Sequence, residues 1–530
     1  MNGLVFAVLV VFPLTVASPS AAARAANEGV AVPTPYRRPL GHDPATLDPA
    51  RIRDMYGISV SQQIFDGLVQ FDSALAVAPA LAQFWTSSRD GLTWTFRLKR
   101  GVRFHHGREL TADDVVYSFT RILDPKTRSG AADLFAHVKG AQEFREGRAR
   151  HVAGLVALGR YTVQVTLSEP FAPFVSALAE GHAKIVPKEI AEQQGGKFGI
   201  RPVGTGAFRF VSWSRGSEIV LDANPDYHEG APNLSRVVYR IFPGDDFAAM
   251  YKEFQRGRLE DSPIPSERYR EIIAASAPLY VRRPMFSLRF YGLNLRIRPL
   301  DDRRVRQALV HAIDRRTVVE VVGPGRYILA RGILPPGTGY DPKLTGLAYD
   351  PQRARDLLTE AGYPGGRGLP VLAVWSSAKS VLLEHDLIRR QLGSIGVKVE
   401  FHYETDWPTY SQMLEDGKLP VFLYAWYADV PDPDNFLFKL FHSRGSRNFV
   451  GYADPTVDDL LARGRATQDL QRRVALYRQA EKIVLDDAPI IPMLHHAYER
   501  LFQPYVRDVE VNELGDPYIP LRKVRLDRRR

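Results

Sequence analysis

The chain has 530 residues, 45% of them hydrophobic and 25% charged, with a formal net charge of +10 and no cysteine. At roughly 150 residues per domain this is a globular protein of about two to four domains, and neither a disordered nor a membrane-embedded one. The composition excludes disulfides, a thiolate nucleophile, cysteine–zinc sites and a lipidated N-terminal cysteine.

The apolar run Leu4 to Val16, followed by the small residues Ala17 to Ala26, predicts a secretory signal over 1–26, too short to span a bilayer. Met1-Asn2-Gly3 departs from the pattern, because no Lys or Arg precedes the apolar run. A linker over 27–34 leads to Ile64–Asp72 and to Leu92–Leu98, whose alternation predicts a half-buried strand. Thr111-Ala112-Asp113-Asp114 has capping-box spacing ahead of Val115, Val116, Phe119 and Ile122, the face of a helix. Tyr161–Leu167 alternates again.

Pro202-Val203-Gly204-Thr205-Gly206-Ala207-Phe208 lacks the third glycine and the Lys-Ser/Thr of a phosphate loop, and predicts a tight turn between strands. Beyond about residue 300, strand and helix alternate. Asp302 opens a helix through Val305, Leu309 and Ile313, Asp350-Pro351 one through Leu358, and Asp454-Pro455 one through Leu461. Leu369–Trp375 and Val397–Tyr403 read as strands around a helix over 381–392. Such an α/β unit places ligands beyond the carboxyl ends of its strands. The basic residues are dispersed except in the tail Arg522 to Arg530, which predicts a solvated end. No zinc-finger, RNP-like or helix-turn-helix pattern speaks for nucleic acid.

One stretch joins these themes. The apolar run Val421-Phe422-Leu423-Tyr424 leads through Ala425, Trp426, Tyr427 and Ala428 into Asp429-Val430-Pro431-Asp432-Pro433-Asp434-Asn435. A buried strand breaking into an acidic, proline-stiffened loop beside aromatic faces suits a pocket for a cationic group. A surface loop that caps a helix at 435–440 is the other reading.

Chemistry for catalysis is sparse. Ser376-Ser377-Ala378-Lys379 has the Ser-x-x-Lys spacing of acyl-transfer enzymes without its companion motifs, so a secreted serine acyl hydrolase is a minor alternative. His105-His106 and His495-His496 are adjacent pairs whose side chains diverge on a strand, which points to structural roles and away from a shared metal.

A series of collinear motifs carries a resemblance to a known family. Thr46-Leu47-Asp48-Pro49, Asp66-Gly67-Leu68-Val69, Gly91 to Leu98, Gly101 to Gly107, Thr111 to Val115, Pro202 to Gly206, Asn224 to Tyr227, Val305 to Leu309, Ala312 to Arg315 and Glu360 to Tyr363 resemble the signature of the family 5 extracellular solute-binding proteins. These are the oligopeptide- and dipeptide-binding components of ABC importers, and the resemblance covers nearly the whole mature chain.

The resemblance implies a two-lobed α/β periplasmic binding-protein fold with a hinge. The first lobe would comprise about 35–70, 200–288 and 500–530, an additional domain 71–199, and the second lobe 289–499. It implies a monomeric, non-catalytic periplasmic protein without a cofactor, which captures a short peptide and delivers it to inner-membrane permease subunits. An oligosaccharide, an opine or a metal chelate are the alternative ligands.

Trp426-x-Ala428-Asp429 is similar to the family's Trp-x-x-Asp segment, which implies that Asp429 binds the peptide ammonium. Losing such a carboxylate costs about 3–5 kcal/mol. Trp407, Trp426, Tyr427 and Ala428 would line the pocket, and Lys379 would face the ligand carboxylate. Asp432 and Asp434 read as loop and helix-capping residues.

Overall fold

The computed structural model describes residues 35–337, 339–378 and 382–527. The N-terminal signal-like segment and Lys379 lie outside them. Side-chain caps fix the helices where the sequence places them. Thr111 N–H donates to Asp114 Oδ2 ahead of the helix Ala112–Leu123, whose buried Val115, Phe119 and Ile122 form one stripe. Asp302, Asp350 and Asp454 each accept a backbone N–H at the start of Arg303–Ala312, Pro351–Glu360 and Pro455–Ala466. Proline occupies the first turn of the latter two, where its missing N–H costs nothing.

Three sheets carry most of the chain. A four-stranded sheet is ordered Tyr36–Leu40, Arg236–Ile241, Glu218–Ala223, Phe208–Ser214, with its first pair parallel. Its core joins Tyr36, Phe65 and Phe198 to Tyr239 and Val524. A second, antiparallel sheet is ordered Ala82–Ser87, Thr93–Leu98, Thr162–Thr166, Leu155–Gly159 and packs on the helix Ala112–Leu123 in a core running from Ala50 to Ile185. The third sheet has six strands in the order Ile328–Leu329, Ile490–His495, Ser287–Leu293, Val421–Tyr427, Leu372–Ser376, Val399–Tyr403. It is covered by separate cores on its two faces.

The chain passes between the six-stranded sheet and a small one at two adjacent places. Tyr280–Pro284 and Ala497–Phe502 pair in a small antiparallel sheet, and each continues at once into the six-stranded sheet as Ser287–Leu293 or leaves it as Ile490–His495. Met285 N–H donates to His496 O at 2.8 Å, and His496 N–H to Ser287 Oγ at 2.8 Å. His495 is buried there, with Nδ1 2.7 Å from Ser287 O, while His105 Nε2 lies 3.0 Å from Gly206 O. Both residues thus serve the scaffold.

Two expectations change. The Gly204-Thr205-Gly206 segment is not a tight turn between strands, since a helical turn at Gly195–Lys197 precedes it. Its glycines allow backbone to lie on backbone: an alanine Cβ at Gly204 would stand 2.1 Å from Ile64 O, and one at Gly206 2.4 Å from Ile64 C. The basic tail is not simply solvated either. Arg522 pairs with Glu229 at 2.9 Å, Lys523 with Glu510 at 2.8 Å, and Arg525–Leu526 pairs as a strand with Val506–Arg507.

Gly206→Ala therefore overpacks a backbone contact and destabilises the protein by about 1–3 kcal/mol. A thermal melt with an unchanged Tm contradicts the close-approach account.

Candidate functional site

The strand Val421–Tyr427 lies centrally in the six-stranded sheet, antiparallel to Ser287–Leu293 and parallel to Leu372–Ser376. Its first residues are buried and its last ones open toward solvent, so the apolar run delivers Trp426 and Tyr427 to the carboxyl edge of the sheet. Ala428 N–H donates to Phe286 O at 2.8 Å, which carries the ladder one residue further and fixes where the loop begins. Asp429 is the first side chain beyond that point.

A short helix, Asp434–Phe441, closes the loop and turns one polar pair inward. Asn435 and Lys439 stand four residues apart on one helical face. Asn435 Oδ1 accepts the Asp429 N–H at 3.1 Å, and Lys439 Nζ lies 2.5 Å from Asp429 Oδ2. The same ammonium sits 5.2 Å from the centre of the Trp426 ring, a cation held by a carboxylate and an aromatic face together. Trp426 Nε1 is buried and has no hydrogen-bond partner among the described residues.

Of the other two aspartates of the loop, Asp434 is not the capping residue expected: it is the first residue of the helix, whose N-cap position is Pro433. Asp432 does accept the Asp434 N–H at 2.8 Å, but both of its oxygens are 2.5 Å from Arg473, in a bidentate pair from the helix Leu470–Asp487. Asp434 is held by Arg465 at 2.9 and 3.1 Å and by the Tyr477 hydroxyl at 2.9 Å. Burial pushes the Asp434 carboxyl up, yet Arg465 and Arg473 outweigh it and the net shift is downward. Both aspartates are buried, so removing either arginine strands a charge, a loss of about 3–5 kcal/mol. The loop is bolted from behind.

Asp429 itself stands in a recess that water still reaches, with 39% of its side chain exposed. Crowding by protein pushes its carboxyl up, but Lys439, Asn435 and the charge on His182 bring it below its ordinary value. His182 comes from the segment that follows the second sheet. Its Nδ1 is 2.6 Å from Glu180 Oε1, and its Nε2 is 2.9 Å from Ile52 O. Burial disfavours the imidazolium, yet Glu180 wins and the His182 pKa rises to about 9. Tyr518 is half-buried; its hydroxyl accepts the Gly181 N–H at 3.2 Å, and desolvation, then Glu180 and more weakly Asp429, push its pKa up. The recess thus lies between the sheet-edge loop and residues 180–182 and 518.

The remaining expected site residues are placed unevenly. Trp407 begins the helix Trp407–Glu415, is 52% exposed and lies nearly parallel to Tyr424 with ring centres 6.4 Å apart, so it is not a core residue. Tyr427 is 43% exposed and packs on His496 at 5.2 Å. Ser376 is buried and its hydroxyl accepts the Ala378 N–H at 3.1 Å. Among the described residues there is no group of three or more potential metal ligands, and no helix is long and apolar enough to cross a membrane.

Comparison with known proteins agrees with this architecture. Residues 76–448 match the family model of the bacterial extracellular solute-binding proteins, family 5. The chain is 31% identical over 477 residues to the probable di/tripeptide-binding protein 5 of Pseudomonas aeruginosa, covering 85% of this chain and 88% of that one. It is 31% identical over 509 residues to heme-binding protein A of Haemophilus influenzae, covering 90% and 89%. The periplasmic binding protein DppA of Helicobacter pylori, solved in complex with the peptide STSA, superposes with a TM-score of 0.77 at 26% identity, covering 93% of this chain and 99% of that one. The fold is the two-lobed one of periplasmic binding proteins.

A histidine whose pKa rises on folding stabilises the protein below its unfolded pKa of about 6.5 and loses that contribution as pH climbs through about 9. His182→Gln accordingly lowers Tm most near pH 6 and progressively less toward pH 9.5. A deficit that does not vary with pH contradicts the His182–Glu180 ion pair.

Proposed function

The chain belongs to the bacterial extracellular solute-binding proteins of family 5, and from that membership we propose that it captures short peptides between two lobes and delivers them to the permease of an ABC importer. The observation that carries the peptide reading is that a primary ammonium, Lys439 Nζ, already sits on Asp429. The recess therefore has the carboxylate and the aromatic face that a peptide's α-ammonium requires. Lys439 is a tethered stand-in, and the ligand's amine replaces it.

The lobes follow the same reading: about 35–70, 200–288 and 500–530 for the first, 289–499 for the second, and 71–199 for the additional domain. The two adjacent strand crossings at 284–287 and 495–497 are suited to a hinge. Closure would draw Asp429 toward His182 and Tyr518. Ala172 N–H donating to Arg465 O at 2.8 Å, with the Arg465 guanidinium 5.0 Å from the Phe171 ring centre, is suited to a clasp between the additional domain and the second lobe. The protein acts without catalysis, as an exported monomer in the periplasm. An oligosaccharide fits less well, because it brings no cation to replace Lys439 on Asp429.

Titration calorimetry with di- and tripeptides tests this. Asp429→Asn loses about 3 kcal/mol of affinity, roughly a hundredfold. An N-acetylated peptide binds the native protein about as weakly and loses nothing further in the variant. Peptide binding that survives Asp429→Asn contradicts the amine assignment. Lys439→Met has the opposite sign: removing the internal competitor tightens peptide binding by roughly tenfold. A weaker complex would show instead that Lys439 itself holds the ligand.

A further inference from the structure

On the lobe division proposed above, two segments of the additional domain touch the end of one second-lobe helix, Pro455–Ala466, and the residues that follow it. Ala172 N–H donates to Arg465 O at 2.8 Å, and an alanine Cβ at Gly91 would stand 2.9 Å from the Gln468 amide nitrogen. Side chains build a stack across this contact. His137 lies on the Phe171 ring with centres 4.4 Å apart and planes 27° from parallel. The Arg465 guanidinium is 5.0 Å from the centre of Phe171 and 3.3 Å from that of Phe438. His442 continues the stack on Phe438 at 4.1 Å. His137 and Phe171 belong to the additional domain, and Arg465, Phe438 and His442 to the second lobe.

The two sides are anchored independently. Arg465 is held by Asp434 at 2.9 and 3.1 Å, in the unit that carries Asp429, so the group that meets the additional domain also backs the binding loop. His137 is fixed by its own domain: its carbonyl accepts the Ser168 N–H at 2.8 Å, and its Nδ1 is 2.9 Å from Glu169 Oε1. When the lobes part, Glu169 therefore travels with His137, while Arg465 and Asp434 leave together.

This division fixes the sign of a charge effect. The charged groups that act on His137 are Arg465, Glu169 and Asp434. Burial and then Arg465 push its pKa below the ordinary 6.5, and Glu169 and Asp434 oppose the fall without reversing it. Arg465 acts more strongly than Asp434. Separation removes the larger repulsion with the smaller attraction and leaves Glu169 in place, so the imidazolium forms more readily in the open protein. We propose that the stack is a proton-sensitive latch, which holds the lobes together while His137 is neutral and releases them when His137 is protonated. The proposal rests on the closure reading above and adds its regulation.

An open form that binds the proton more tightly is favoured as pH falls, so a ligand enclosed by the closed form is held less tightly in acid. The binding recess does not share this behaviour. His182, at about 9, and Asp429, below the ordinary carboxylate value, keep their charges between pH 5 and 7. His442 is acted on by Asp458, Arg444, Arg465 and Asp434, all of its own lobe, so its protonation is the same open or closed.

Calorimetric titration with trialanine at pH 5, 6 and 7 tests the latch. Native affinity falls roughly threefold or more from pH 7 to pH 5, and binding at pH 6 releases protons, read from the dependence of the heat on buffer ionisation enthalpy. His137→Gln binds at pH 7 within about twofold of the native protein and loses both the fall and the proton release. Glu169→Gln withdraws the carboxylate that supports the imidazolium and moves the fall to lower pH, whereas His442→Gln leaves it in place. A native affinity that is equal at pH 5 and pH 7, a fall that survives in His137→Gln, or a profile that Glu169→Gln does not move overturns the proposal. The Glu169→Gln comparison decides alone if His137→Gln does not fold.

If none of the di- and tripeptides binds at pH 7, the peptide reading falls and closure itself decides the latch. Small-angle X-ray scattering without ligand then gives a larger radius of gyration at pH 5 than at pH 7 for the native protein, and one radius at both for His137→Gln. An unchanged native radius, or an equal expansion in the variant, overturns the proposal.

Discussion

The site turns on one constraint: a carboxylate set deep between protein walls needs a cation. Asp429 stands just past the end of a central strand, where the sheet has no further backbone to offer, and crowding penalises its charge. Lys439 resolves the difficulty from within the same loop-helix unit at 2.5 Å. On the peptide reading proposed above, the consequence is a binding site with its own occupant. On that reading a ligand amine would gain only the difference between its interaction with Asp429 and that of Lys439, which would favour ligands that bring further contacts over free amines that bring none.

Such exchange requires a loop that does not move when its ion pair opens. The two buried pairs behind it, Asp432 with Arg473 and Asp434 with Arg465, supply that rigidity, and the Phe438 ring packs 3.3 Å from the Arg465 guanidinium. Rigid backing behind and a tethered, replaceable partner in front divide the labour between neighbouring aspartates of similar chemistry. Asp432 and Asp434 are buried and committed, while Asp429 keeps contact with water. Only a carboxylate that water still reaches exchanges partners cheaply.

Much of this was legible in the sequence, at the level where signals are local. Apolar periodicity and Asp or Thr caps located the helices at 112–123, 303–312, 351–360 and 455–466, and the run from Val421 located the strand that carries the site. The identity of Asp429 as the leading candidate came from resemblance, since spacing alone treated three aspartates alike. Lys439 was missed, although a single lysine among Phe436, Leu437, Phe438, Leu440 and Phe441 is a signal that it must reach a polar group. Arg465 and Arg473 could not be paired with Asp434 and Asp432, because partners 31 and 41 residues apart meet only through tertiary packing. The Gly204 and Gly206 pair was misread for a related reason: its glycines serve an approach to Ile64, distant in sequence, and not a local turn.

The most direct test of the central claim is a crystal structure of the protein with a bound tripeptide. The exchange account predicts the ligand's α-ammonium within ~3 Å of the Asp429 carboxylate, with Lys439 Nζ swung away from it and the Asp432–Arg473 and Asp434–Arg465 pairs unchanged. A complex in which Lys439 remains on Asp429 while the ligand's amine lies elsewhere would contradict it.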